Sequence, residues 1–333
     1  LFETPPPSAP PPLMQSPAHI QVAVTKRQHE HTFAIAPHNL SMGADNSAPW
    51  LLLSPPVRDA FERLRVAGPA LGDSILGRPL LGVKCGCNSA FLVHAAEHDD
   101  DTATIMSDGR ETLIERTLLR PALRGEAITT RRALIRPAPA LGSLRIVWTH
   151  GADGSPLRTL PPRTGRWLAR YRPQLETRRD ARAKQPWWTL FRTEAARSEA
   201  ARLVWADLGK SLRTTILAPG DPTVPLNSCY VLRTPSLEDA YALNTLLTSP
   251  LTAAWLDAIA EPARGGWRRY LGWTVAALPI PADWPSARRK LADFSRRQQM
   301  PLPPSPEAHV AVTADAYGIP VQSITPLLEW ATR

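Results

Sequence analysis

LLGVKCGCNSAFLV, residues 80–93, is the stretch from which the chain is read outward. Apolar, strand-like residues flank a turn bracketed by Gly82 and Gly86, and that turn carries Lys84 and Asn88. Glycine accepts positive φ and close backbone approach, so the pattern predicts a hairpin-like unit that holds polar side chains at a fixed place on a sheet edge. Such a unit suits binding rather than catalysis. An echo follows at residues 118–128, LLRPALRGEAI, where Pro121 and Gly125 predict a turn that displays Arg120 and Arg124.

The charge narrows what such a unit binds. The 333 residues carry a formal net charge of +9, and residues 158–213 hold fourteen Lys or Arg against five Asp or Glu, so one segment contains the whole excess. Of the 39 basic residues only five are lysines. The planar fork of arginine suits bidentate contact with phosphate or a guanine edge. Coding bias explains the choice of Arg over Lys but not its clustering. Aromatics interleave with these charges in RWLARYR (166–172), WW (187–188) and RGGWRRY (264–270), which pairs phosphate contacts with rings that pack on sugars or bases. Trp205 and Trp255, among apolar neighbours, read as core anchors, and Trp267, between glycine and arginine, reads as a surface residue.

At this length the chain forms one large or two ordinary domains with a real core. Hydrophobic residues make up 43% and charged residues 21%, whereas 36 prolines predict short elements and many ordered loops. Three cysteines, Cys85, Cys87 and Cys229, make neither a disulfide framework nor a four-ligand zinc site, and a reducing cytoplasm is the expected compartment. No run of eighteen apolar residues suggests a membrane span.

In chain order, residues 1–18 are proline-rich, and 18–27 (AHIQVAVTKR) and 31–37 (HTFAIAP) alternate as strands. Residues 55–67 predict a helix with Pro56 in its first turn. Residues 97–101 form an acidic loop, and 111–119 and the arginine-rich 164–184 predict helices, the second broken at Pro173. Strands are expected at 144–149, 201–205 and 228–232, and a helix interrupted near Pro250 at 237–259. An exposed turn at 264–270 leads to a strand ending in LPIP, 278–281. Helices near 286–297, 305–317 and 324–330 close the chain. The fold class expected is α+β, with mixed and antiparallel sheets, packed helices and a helical C-terminal tail.

Cofactor cradles are absent: no phosphate-binding loop, no dinucleotide glycine fingerprint and no nucleophile elbow is present. His29 with His31 and His94 with His98 lack the partners a metal site needs, so no metal site is assigned. No catalytic residue is assigned either.

Several stretches resemble a known family. GVKCGCNSAF is similar to the Gly-x-x-Thr-Gly-x-Asn-x-x-Phe signature of the specificity half of TaqI-like adenine-specific DNA methyltransferases, the class found in Type IIG restriction-modification enzymes. Gly82, Gly86, Asn88 and Phe91 carry the match, and Cys85 stands where Thr is usual. LLRPALRGEAI resembles the family's KP-x-LRG-x-x-I segment, with Arg120 where Lys is common and with Arg124, Gly125 and Ile128 in step. PWW (186–188), ARLVWADL (201–208), LNTLLTSPL (243–251), LPIP and AYGIP (316–320) follow in the family's usual order.

The resemblance implies a target recognition domain that grips duplex DNA, reads base edges and positions an adenine for a methyltransferase pocket. Residues 1–46 would be the end of a methyltransferase domain, 47–283 the recognition domain and 284–333 the helical tail. Phosphate contacts are expected from 163–182, with Arg166, Arg170 and Arg178. Base contacts are expected from Lys84, Asn88, Arg120, Arg124 and the turn bearing Arg264, Arg268 and Arg269. Gly82, Gly86 and Gly125 would shape the backbone. The family's catalytic tetrapeptide has only SPPV at 54–57 as a counterpart, which lacks the aromatic residue and reads as a helix start. S-adenosylmethionine would therefore belong to a catalytic domain supplied in cis or in trans, as part of a restriction-modification or phage-defence system. The rival readings are an adenine methyltransferase with a divergent site and an RNA-binding or scaffold subunit.

Overall fold

The structure, a computed structural model, describes residues 19–26, 29–42, 49–97, 99–107, 109–128, 144–180, 185–300 and 302–332. The proline-rich start, His98 and the end of the arginine-rich stretch with Arg182 lie outside the described residues.

The hairpin of β1 (Ile20–Lys26) and β2 (His29–Ile35) pairs with no other strand among the described residues. Helix α1 (Pro55–Arg65) follows Ser54 and has its prolines at the first turn, where a missing donor costs little, so SPPV is a helix start. A first sheet region then runs through β3 (Leu80–Leu81), the single turn α2 (Asn88–Phe91), β4 (Leu92–Glu97), β5 (Thr102–Ser107), β6 (Arg110–Glu115), β7 (Leu119–Leu123) and β8 (Leu144–Val147). Two short helices, α3 (Pro162–Ala169) and α4 (Arg172–Glu176), lead to β9 (Arg202–Ala206), β10 (Leu208–Gly209), β11 (Thr214–Leu217), β12 (Val224–Pro225) and β13 (Cys229–Arg233). Helices α5 (Leu237–Thr248) and α6 (Pro250–Ile259) precede the hairpin β14 (Glu261–Ala263) and β15 (Trp267–Arg269). Four helices, α7 (Gly272–Ala276), α8 (Trp284–Arg297), α9 (Pro306–Ala316) and α10 (Val321–Thr332), complete the chain.

The fold is α+β. A six-stranded sheet has the order β12-β7-β8-β4-β5-β6, antiparallel except for the parallel β12–β7 pair. A four-stranded antiparallel sheet has the order β11-β9-β13-β3, and a three-stranded one has the order β10-β15-β14. The 80–93 stretch passes from the edge of the four-stranded sheet, as β3, into the six-stranded sheet, as β4.

Two main apolar cores follow from this layout. The larger joins α1, α5, α6, α8 and α10 to the four-stranded sheet through residues such as Phe61, Leu203, Trp205, Trp255, Leu291, Ile324 and Trp330. Trp205 and Trp255 are fully buried, and Phe61 stacks on Trp255 with centroids 5.0 Å apart and planes 4° from parallel. Each large apolar side chain buried this way contributes about 1.5–3 kcal/mol. The second core lies against the six-stranded sheet and includes Val83, Phe91, Ile105, Ile114, Ile146, Trp167 and Leu226. No helix among the described residues is long and apolar enough to cross a membrane.

Several local expectations are corrected. The 80–93 stretch is not a hairpin but a strand, a seam of bridges, one helical turn and a second strand. Residues 111–119 are not helical: β6 pairs with β5 from Thr102↔Glu115 to Ser107↔Arg110, and a 3-10 turn over Arg116–Leu118 follows. Of the expected turn at 121–125, residues 121–123 are the second half of β7, with Arg120 inside the strand, and the chain turns only after it, in a 3-10 segment over Gly125–Ala127. Pro121 lies beyond the part of β7 that β12 covers, so its missing N–H interrupts no bond on that side. The arginine-rich stretch is interrupted at Pro173 as expected, but its helices are short, α3 ending at Ala169 and α4 opening with Pro173 in its first turn and ending at Glu176. The strand expected to end in LPIP is instead α7 followed by a single bridge, Ala70↔Pro279.

Candidate nucleic-acid interface

A backbone seam fixes the turn that bears Lys84 and Asn88. The Gly82 amide donates to Cys229 O at 2.9 Å, the Val83 amide to Pro225 O at 2.8 Å, and Lys84 and Phe191 exchange two amide-to-carbonyl bonds of 3.0 Å. A Cβ at Gly82 would sit 2.1 Å from Leu226 O, so only glycine allows this approach. Gly86 has φ +71°, and Gly125 stands 2.5 Å, by the same measure, from Ser228 O.

Arg178 locks the far side of the turn. Its Nη1 donates to Cys85 O at 2.6 Å, its Nη2 to Trp187 O at 2.7 Å and its Nε to Leu175 O at 3.0 Å. Its guanidinium lies 4.8 Å from the centre of the Phe191 ring. Arg178 is thus a half-buried brace between the turn and the arginine-rich segment. Burial pushes the Cys85 thiol up to about 12, against the pull of the nearby Arg178 and Arg124 charges, so this cysteine is a packing residue and not a thiolate.

Around this brace, Lys84 forms an ion pair with Asp180, and that hydrogen bond holds the Asp180 carboxyl below its ordinary range. Asn88 is exposed at the start of α2. Arg124 is half-exposed, 3.5 Å from Glu126. Arg120 is half-buried, with its guanidinium 4.5 Å from the Trp148 ring centre, and burial lowers its pKa. His150, beside Trp148, is pushed down to about 4 by burial and by the Arg120 charge.

Helix α3 presents Arg166 to solvent, and Arg170, which caps its C-terminus, is also exposed, 5.4 Å from the Trp167 ring centre. Glu115 at the end of β6 sets this helix: one carboxylate oxygen accepts from the Arg163 amide at 2.9 Å, the other from the Thr164 amide at 2.8 Å and its hydroxyl at 2.7 Å. Burial works against the charged form, yet these bonds keep the Glu115 carboxyl below its ordinary range.

The last group stands on a separate sheet. Gly265 and Gly266, at φ +73° and +75°, close the β14–β15 hairpin, and Trp267 is 41% exposed, as expected of a surface ring. Alternation along β15 puts Trp267 and Arg269 on one face and Arg268 on the other. Arg268 faces inward, donating to Ala260 O at 3.1 Å and pairing with Asp257, which also holds Lys26 at 2.6 Å. Arg264 and Arg269 are exposed. A cavity of about 730 Å³ lies away from these groups, between the β1–β2 hairpin, the start of α1 and α10, lined by His31, Phe33, Ser54, Val57, Pro326 and Trp330. Among the described residues no cluster of three or more His, Cys, Asp or Glu could hold a metal ion.

The fold is similar to that of the Type IIL restriction-modification enzyme MmeI, solved in complex with DNA, with a TM-score of 0.52 and 13% sequence identity over 96% of this chain. The match covers 42% of the MmeI chain, so this chain spans less than half that enzyme's length. The type IIG restriction endonuclease BpuSI aligns at a TM-score of 0.42 and 11% identity, over 91% of this chain and 37% of that one. No family model matches the chain, and no curated protein does.

Four participants were not legible in the sequence: Glu115, Asp180, Asp257 and Arg192. The three acids act on partners 48 to 96 positions distant or on a neighbouring sheet, and no spacing rule reaches that far. Arg192 is exposed directly after Phe191 and is the only non-glycine residue with positive φ among those described, at φ 59° and ψ 41°. A left-handed backbone costs a side-chain-bearing residue about 1–2 kcal/mol.

Proposed function

We propose that this chain is the DNA-specificity region of a restriction-modification enzyme, with residues 47–283 reading duplex DNA and 284–333 as its helical support. The observation that carries this reading is a fold likeness running through 96% of the chain to an enzyme solved on DNA. Its support is the concentration of the net charge of +9 in residues 158–213, where Arg158, Arg163, Arg166, Arg170, Arg172 and Arg179 are all exposed. Exposed guanidiniums of this density suit a polyanion and set register along the phosphates. Lys84, Asn88, Arg120, Arg124, Arg264 and Arg269 are the proposed reading residues, while Arg178 and Arg268 serve as their inward anchors.

The adenine-specific assignment rests on the sequence resemblance. In that reading S-adenosylmethionine is bound by a methyltransferase domain outside these residues, and this chain selects the site at which transfer occurs. The experiment is selection from a duplex pool with a randomised centre, followed by sequencing of the bound fraction. A recovered consensus containing an adenine is the expected outcome. Binding with no enriched sequence would remove the specificity role.

A further inference from the structure

Arg192 is an exposed cation held in an uncommon backbone conformation beside the Lys84 turn. The residue before it, Phe191, is bonded to Lys84 through both backbone groups at 3.0 Å, and its ring lies under Arg178. Phe191 is therefore clamped from two sides. The chain then turns at once into the 3-10 segment Thr193–Ala196, whose Ala195 and Ala196 are buried. Between a fixed residue and a buried turn, the left-handed conformation directs the Arg192 side chain outward. Glycine would satisfy the same geometry without steric strain, so Arg192 stands here against its local conformational preference.

Its electrostatic setting shows what it suits. Lys84 is occupied by Asp180, and Arg178 by three carbonyls. Arg192 lies close enough for its charge to act on Asp180; its carbonyl accepts from the Ala195 amide at 3.4 Å, but its side chain makes no hydrogen bond or ion pair among the described residues. Like the exposed Arg179, whose charge also acts on Asp180, it offers donors open to an incoming anion.

We propose that Arg192 is a phosphate-binding residue of this chain, a positioning contact that seats a DNA strand against the 82–88 turn. The inference rests on the DNA-binding reading and assigns that surface a residue outside the sequence motifs. A phosphate oxygen bound here also competes with Asp180 for Lys84, which frees the Lys84 ammonium to face the DNA.

The test uses the 333-residue chain, a fluorescein-labelled mixed-sequence duplex and three variants, Arg192→Gly, Arg192→Lys and Arg170→Gly. Arg192→Gly removes the charge and the strain together. The expected result is a melting temperature equal to or above wild type, together with several-fold weaker binding, uniform across sequences, and a salt slope smaller by about one. Arg192→Lys is expected to restore the slope. A purely structural role would move stability without moving the slope, so Arg192→Gly with wild-type affinity and slope overturns the proposal. If wild-type protein binds no duplex at all, the DNA reading itself falls. If it binds and only Arg170→Gly loses affinity, the reading stands and the Arg192 assignment fails.

Discussion

Arg178 and Arg166 belong to the same basic segment, yet their surroundings give them opposite duties. Three carbonyls surround the guanidinium of Arg178, and Arg178→Ala leaves Cys85 O and Trp187 O without a charged donor. We expect a loss of roughly 2–3 kcal/mol in urea denaturation, with little rescue by Lys, whose point charge cannot reach three acceptors. Arg166→Ala removes an exposed side chain with one 3.3 Å bond to Pro162 O, so stability should stay within about 0.5 kcal/mol of wild type while duplex binding weakens. His150 supplies a pH signature at the same scale. Its folded-state pKa, about 4, lies below its ordinary 6.5, with burial as the first cause, Arg120 adding to it and Asp153 opposing it. The unfolded chain therefore takes up the proton first, and the contribution, full above pH 6.5, is lost as pH falls towards 4. The loss should be on the order of 2 kcal/mol, and His150→Gln should show a shallower fall in stability between pH 7 and 4.5 than wild type.

Elements were legible where local pattern and pairing agree. The glycine-bracketed stretch at 80–93 was legible as a rigid polar turn because glycine marks a close backbone approach, and at Gly82 a Cβ would stand 2.1 Å from Leu226 O. Residues 111–119 were misread because Leu113, Ile114 and Leu118 also fit helical spacing, and only pairing with β5 decides for strand. The interruption of the basic segment at Pro173 was legible because proline either ends a helix or opens one, and only the structure shows that it stands in the first turn of the short α4. The glycines allow a graded test by thermal melting. Gly82→Ala forces backbone against backbone and should cost about 3 kcal/mol or more, whereas Gly109→Ala, at φ +72° with open space around it, should cost about 1 kcal/mol.

At the scale of the whole molecule, the C-terminal helices share a core with the first helix and with the central sheet. Ile324, Leu327 and Trp330 pack in the cluster that contains Phe61 and Trp205. Removing residues 303–333 should therefore abolish a cooperative melt followed by circular dichroism, where a detachable tail would leave it intact. The charge distribution works at this scale too, since exposed arginines gathered in one segment create a long-range field that no single contact accounts for. The most direct test of the central claim is the salt dependence of duplex binding, measured by fluorescence titration beside a structured RNA of equal length. Duplex DNA should bind more tightly than the RNA, and log K should fall linearly with log salt by about 0.9 for each phosphate neutralised. A flat salt dependence, or equal or tighter binding of the RNA, would contradict the assignment of this chain to duplex DNA recognition.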